Sequence, residues 1–163
     1  MKRKMLYVVV GLACALALTA GSARADDGKR SVIVFTVQNL GDGSDACSGF
    51  GFSFDMVAPG DRRLGSGLSC VYAPPTCPPE PGCRDTVGAL FALDFGRGTL
   101  TLPVVLNEMW LTNTRVLQLD HGTITAGSGD FAGATGSLDC FGTLLFTATG
   151  LTPRLQCVIH ITS

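Results

Sequence analysis

"GSGDFAGATGSL", residues 127–138, sets four glycines and two alanines around a single phenylalanine. Such a stretch either cradles a phosphate or lets the chain bend, and the two readings lead to different folds. The phosphate reading fails on spacing. Gly127, Gly129 and Gly133 give G-x-G-x-x-x-G, one residue too long for the dinucleotide fingerprint, and no lysine follows as in a P-loop. A dinucleotide site also needs a helix to begin there, whereas the following "SLDCFGTLLF" reads as a strand. The mechanical reading is better. Gly127 and Gly129 permit positive φ in a tight turn. Phe131 then plugs the end of a barrel, and Gly133 and Gly136 let the next strand kink sharply.

The flanking sequence supports strands. Phe50, Phe52, Phe54 and Met56 alternate with polar or small residues, and "ALFALDF" puts Ala89, Phe91, Leu93 and Phe95 on one face. The same period of two runs through Leu100, Leu102, Val104 and Leu106, and through Leu155, Cys157, Ile159 and Ile161. "SVIVFTVQN", residues 31–39, is rich in β-branched residues, as strands are. Turn signals separate these runs at "GDGSD", "APGD" and "FGRG". Short strands with glycine-rich turns predict a sandwich or a closed barrel. Pro103 demands an edge, a bulge or a strand end, and the proline-rich stretch 73–83 reads as a surface loop.

Residues 1–25 read as a secretory signal. Lys2, Arg3 and Lys4 precede an apolar run, and Ala23-Arg24-Ala25 offers an A-x-A cleavage site. The expected mature chain, residues 26–163, suits one domain. It holds eight basic residues against thirteen acidic ones, a net charge of −5. No basic stripe is present to neutralise phosphates, so nucleic acid is not an expected partner. No later stretch is apolar enough to span a bilayer as a helix, so no membrane association is expected after cleavage. The chain is expected to be secreted or periplasmic.

Six cysteines remain beyond the leader: Cys47, Cys70, Cys77, Cys83, Cys140 and Cys157. An even count in an exported domain suggests disulfides, although it leaves the connectivity open. Cys77 and Cys83 flank a rigid "PPEPG" turn, and Cys140 and Cys157 flank the last apparent hairpin, so these are the favoured pairs. Cys47–Cys70 follows by elimination. There is no C-x-x-C pair, and His121 and His160 are not spaced as zinc ligands, so no metal is expected.

At this point the glycine stretch resembles a known family, the allene oxide cyclase and dirigent-like barrels. The segment from Gly127 to Gly136 is similar to the G-G-S-G-x-F-x-G-x-x-G turn of plant allene oxide cyclases, nearly position for position. "GLSCV" with Cys70, "LDFGRGTLTL" and "VIVFTVQN" resemble further family strands in the same order. The resemblance implies an eight-stranded antiparallel barrel, usually a homotrimer, with an apolar cavity and no cofactor. It aligns Thr36 with the family's first-strand glutamate and sets Gln38 near its asparagine, which places Val34, Thr36 and Gln38 in the lumen. Thr36 cannot supply a negative charge to a developing cation. Thr135 stands where dirigents carry an arginine, so neither family's chemistry transfers intact.

The remaining polar residues yield candidates rather than a motif. Two histidines without a G-x-S-x-G nucleophile make no Ser-His-Asp set. His121 and His160 read as structural. Asp55, Asp94 and Asp120 each sit in strand patterns, from which a carboxylate can enter a lumen and act as acid or base. Arg97 and Arg115 are similar candidates, and Trp110 is placed in a loop. The lumen candidates are Thr36, Gln38, Cys70, Asp94 and Phe131. The expected occupant is a small apolar molecule, held for binding or for a cofactor-free cyclisation or isomerisation by confinement. The alternative is a barrel with a filled lumen that only presents loops such as 73–83.

Overall fold

The computed structural model describes residues 29–148 and 150–163; the leader and its cleavage site lie outside them. Nine strands follow in order: β1 Arg30–Asp42, β2 Phe50–Ala58, β3 Arg62–Val71, β4 Arg84–Asp94, β5 Thr99–Thr112, β6 Arg115–Thr123, β7 Ala126–Gly127, β8 Thr135–Thr147 and β9 Gly150–Thr162. All pairings are antiparallel; β9 returns to β1, and β4 joins β5. Eight strands thus close a barrel, one of the two architectures the alternating pattern allows and the one the resemblance implies. The two-residue β7 lies outside it and extends the edge of β5 at Leu100 and Thr101.

Period-two alternation becomes inside and outside. Phe54, Met56, Ala89, Phe91, Leu93, Leu100, Leu102, Val104, Leu106, Leu155, Cys157, Ile159 and Ile161 are all buried in one core. Fully burying a side chain of the larger kinds contributes roughly 1.5–3 kcal/mol. Pro103 sits within β5 where its second neighbour changes, between Thr101 opposite Ala126 and Val104 opposite Gly122. A residue without an amide hydrogen is tolerated at that break in the ladder.

The first strand departs from expectation. Phe35 and Val37 are buried, whereas Thr36 is half-buried and Gln38 exposed. Thr36 and Gln38 therefore belong to the outer wall, because alternate residues share a face and a slip of one residue exchanges the faces.

The six cysteines pair as expected: Cys47–Cys70, Cys77–Cys83 and Cys140–Cys157, with Cα separations of 5.5, 6.0 and 4.1 Å. Cys140 and Cys157 stand directly opposite one another on β8 and β9.

The glycine stretch folds over the far end of the barrel, with Phe131 buried on a 3-10 turn spanning Gly129–Phe131. Its ring packs 5.0 Å from Phe95 and beneath the Arg97 guanidinium. Gly129 has φ +57°, as expected. Gly127 is required for a different reason: a Cβ there would lie 2.0 Å from the Phe131 carbonyl oxygen. Gly133 and Gly136, at φ +76° and +143°, lead the chain into β8.

Candidate functional site

The site is built on β6, whose sequence "RVLQLDHGT" reads most simply with Leu117 and Leu119 inward. The barrel does the opposite. Leu119 is 48 % exposed, while Gln118 and Asp120 are 5 % and 4 % exposed. Paired residues on adjacent strands share a face, and Asp120 lies opposite Leu106 on β5 and Cys140 on β8. Both neighbours point inward, and Cys140 is bridged to buried Cys157. Their parity forces Gln118 and Asp120 into the lumen.

There they meet a cavity of about 70 Å³. Val37, Phe54, Val87, Phe91, Leu106 and Leu155 line its apolar wall; Ser69, Glu108, Gln118 and Asp120 are its polar side chains. Phe50 and Pro75 stand at its mouth, at the end of the barrel from which β3 runs into the proline-rich loop. At about 10–15 Å³ per water, the space holds several waters or one compact organic group. Among the described residues, no lysine, arginine or histidine lines it.

Gln118 Nε2 donates to Asp120 Oδ2 at 3.2 Å. Gln118 Oε1 and Asp120 Oδ1 are buried without a partner. Burial pushes the Asp120 carboxyl up to about 7, against the amide hydrogen bond and with a smaller contribution from Glu108. Burial also raises Glu108, helped by Asp85 across the β4–β5 pair. Asp85 is held low by backbone N–H groups of Cys77, Thr76 and Thr86. Asp120 can therefore donate or accept a proton near neutral pH, beside a second carboxyl, Glu108, that burial also raises.

None of the five lumen candidates lines this cavity. Thr36 Oγ1 donates to the Val57 carbonyl at 3.2 Å, and Gln38 lies beside Arg154 and Gln156 on the outer wall. Cys70 occupies an outward position of β3, bridged to Cys47, and its neighbour Ser69 faces inward instead. Asp94 is exposed at the β4–β5 turn, accepting the Gly96 N–H at 2.7 Å. Phe131 is buried, but at the far end. Asp55 also faces outward, clamped by Asn39 and Arg63.

Of the aspartates considered, only Asp120 enters the lumen. Its companions Glu108 and Gln118 escaped sequence reasoning; their signal is the polar member of an alternation, which ordinarily means solvent. His121 is exposed and 2.7 Å from Asp139. Trp110 lies in β5 rather than a loop, stacked 5.1 Å from Phe146. Among the described residues, no group of three histidine, cysteine or acidic side chains is placed to hold a metal ion.

No family model, curated protein or solved structure matches the chain.

Proposed function

We propose that this is an exported, small-molecule-binding barrel of the allene oxide cyclase and dirigent-like type, holding a compact, largely apolar molecule in its lumen. One observation carries the reading. Strand β6 buries Gln118 and Asp120 and exposes Leu119, with an unpartnered oxygen left on each buried polar side chain. An unmet buried acceptor costs about 1–3 kcal/mol, and exposed leucine adds to that. Local rules are broken in this way mainly where function needs it. A barrel serving only to present loops would do better with leucine inside.

Confinement in this cavity would restrict a flexible occupant to few conformations, and Asp120 could pass it a proton; together these would steer an isomerisation or cyclisation without a cofactor. The test is titration with n-butanol, followed by methyl NMR. Shifts at Val37, Leu106 and Leu155, with Leu100 and Ile161 unmoved, support the reading. Shifts confined to outer-wall Val105 and Leu119 overturn it. Native mass spectrometry of protein from its own host would then identify any retained molecule.

A further inference from the structure

The two orphaned oxygens in the cavity share a chemistry: an amide oxygen only accepts, and an ionised carboxylate only accepts. The occupant that satisfies them must bring donors. Glu108, a second carboxyl, lines the same space, and none of its lining residues is basic. Charge, donor count and size converge on one class. We infer that the lumen selects a compact primary alkylamine, its ammonium seated between Asp120 and Gln118 and its hydrocarbon against the apolar wall. An ammonium has three donors, enough for Gln118 Oε1, Asp120 Oδ1 and a further acceptor. It also supplies the positive charge that a buried carboxylate otherwise lacks. Phe54 and Phe91, which share the lining, present rings whose faces attract cations.

The groups facing Asp120 are few. Gln118 stands on its own strand and Glu108 on β5; Leu106 and the bridged Cys140 lie opposite it and do not titrate. Asp85 faces Glu108 from β4, its oxygens engaged by backbone N–H groups. Seating an ammonium on Asp120 requires the ionised carboxylate, so the amine displaces a proton to buffer where the empty site is still protonated.

This inference rests on the lumen being a ligand site, and the test separates the two. The affinities of n-butylamine and its near-isostere n-butanol are compared by methyl NMR at pH 8 and pH 5. The amine should bind at least about tenfold more tightly at pH 8, and the preference should shrink at pH 5. Asp120→Asn should lose the amine preference whatever its own affinity for the alcohol, and a dispersed, native-like methyl spectrum without either probe shows that the variant is folded. Equal affinity of the two probes at pH 8, or an amine preference surviving in Asp120→Asn, overturns the inference while leaving a lumen that binds neutral molecules. Failure of both probes to reach the lumen overturns the binding reading as well. Should Asp120→Asn not fold, the pH dependence of the amine-to-alcohol ratio in the natural protein decides: a ratio unchanged between pH 5 and 8 overturns the inference.

Discussion

Gln118 and Asp120 stand two residues apart on the inner face of β6, joined by one 3.2 Å hydrogen bond. That single bond does not satisfy either group, and its insufficiency has consequences that can be measured.

The first is a stability that falls with rising pH. Asp120 moves from an ordinary 3.8 to about 7 on folding, so the folded chain keeps a proton that the unfolded chain releases. Its contribution is full below about pH 4 and is lost as pH rises through 7. Glu108, also raised, acts in the same direction. Asp42, Asp55 and Asp85 are lowered, so their contributions are lost only as pH falls below their usual range. Thermal melts from pH 5 to 8 should show Tm falling in the natural protein and much less in Asp120→Asn. At pH 8 the variant should be more stable, on the order of 4 kcal/mol before relaxation.

The three disulfides leave no free thiol among residues 29–163. Iodoacetamide without reductant should label none of the six cysteines in the folded protein, read by peptide mass. Replacing both Cys140 and Cys157 with serine should cost roughly 2–4 kcal/mol in urea denaturation, largely by freeing the unfolded chain.

Phe131 is buried, and Gly127 is fitted to its backbone, where an added Cβ would lie 2.0 Å from the Phe131 carbonyl oxygen. Phe131→Ala should cost about 3–5 kcal/mol. Gly129→Ala should also destabilise, by at least about 1 kcal/mol, since the new Cβ would come within 2.3 Å of the Arg97 carbonyl oxygen at φ +57°. Chemical denaturation of each variant checks both.

A change on the outer wall should leave the lumen untouched. Thr36→Glu is expected to alter n-butanol binding by less than about twofold, because Thr36 points away from the cavity and meets Val57. A larger change in the NMR titration would place Thr36 within reach of the ligand.

The barrel was legible wherever one face was consistently apolar. Phe54 with Met56, Leu100 through Leu106, and Leu155 through Ile161 each declared an inner face by period alone. Strand β1 gave no such signal, because Val32, Ile33, Val34 and Phe35 are consecutive and apolar. Its facing had to come from the resemblance to the allene oxide cyclase and dirigent-like barrels, and that register differs from the structure by one residue, which is enough to move Thr36 and Gln38 outside. The site was hidden for the complementary reason. On β6 the leucines suggest the wrong face, and only the pairing of Asp120 with Leu106 and Cys140 reveals it. Such nonlocal constraints lie between strands, out of reach of a pattern read along one.

Phe131 is buried at the end of the barrel opposite the mouth of the cavity, with the packed core between them. On the proposed binding reading, a guest that comes in past Phe50 and Pro75 would back out along the same path, since the core and Phe131 fill the opposite end. Exchange is then a queue: a newcomer, however concentrated, cannot push the resident through, and turnover of guests is capped by the resident's own departure rate.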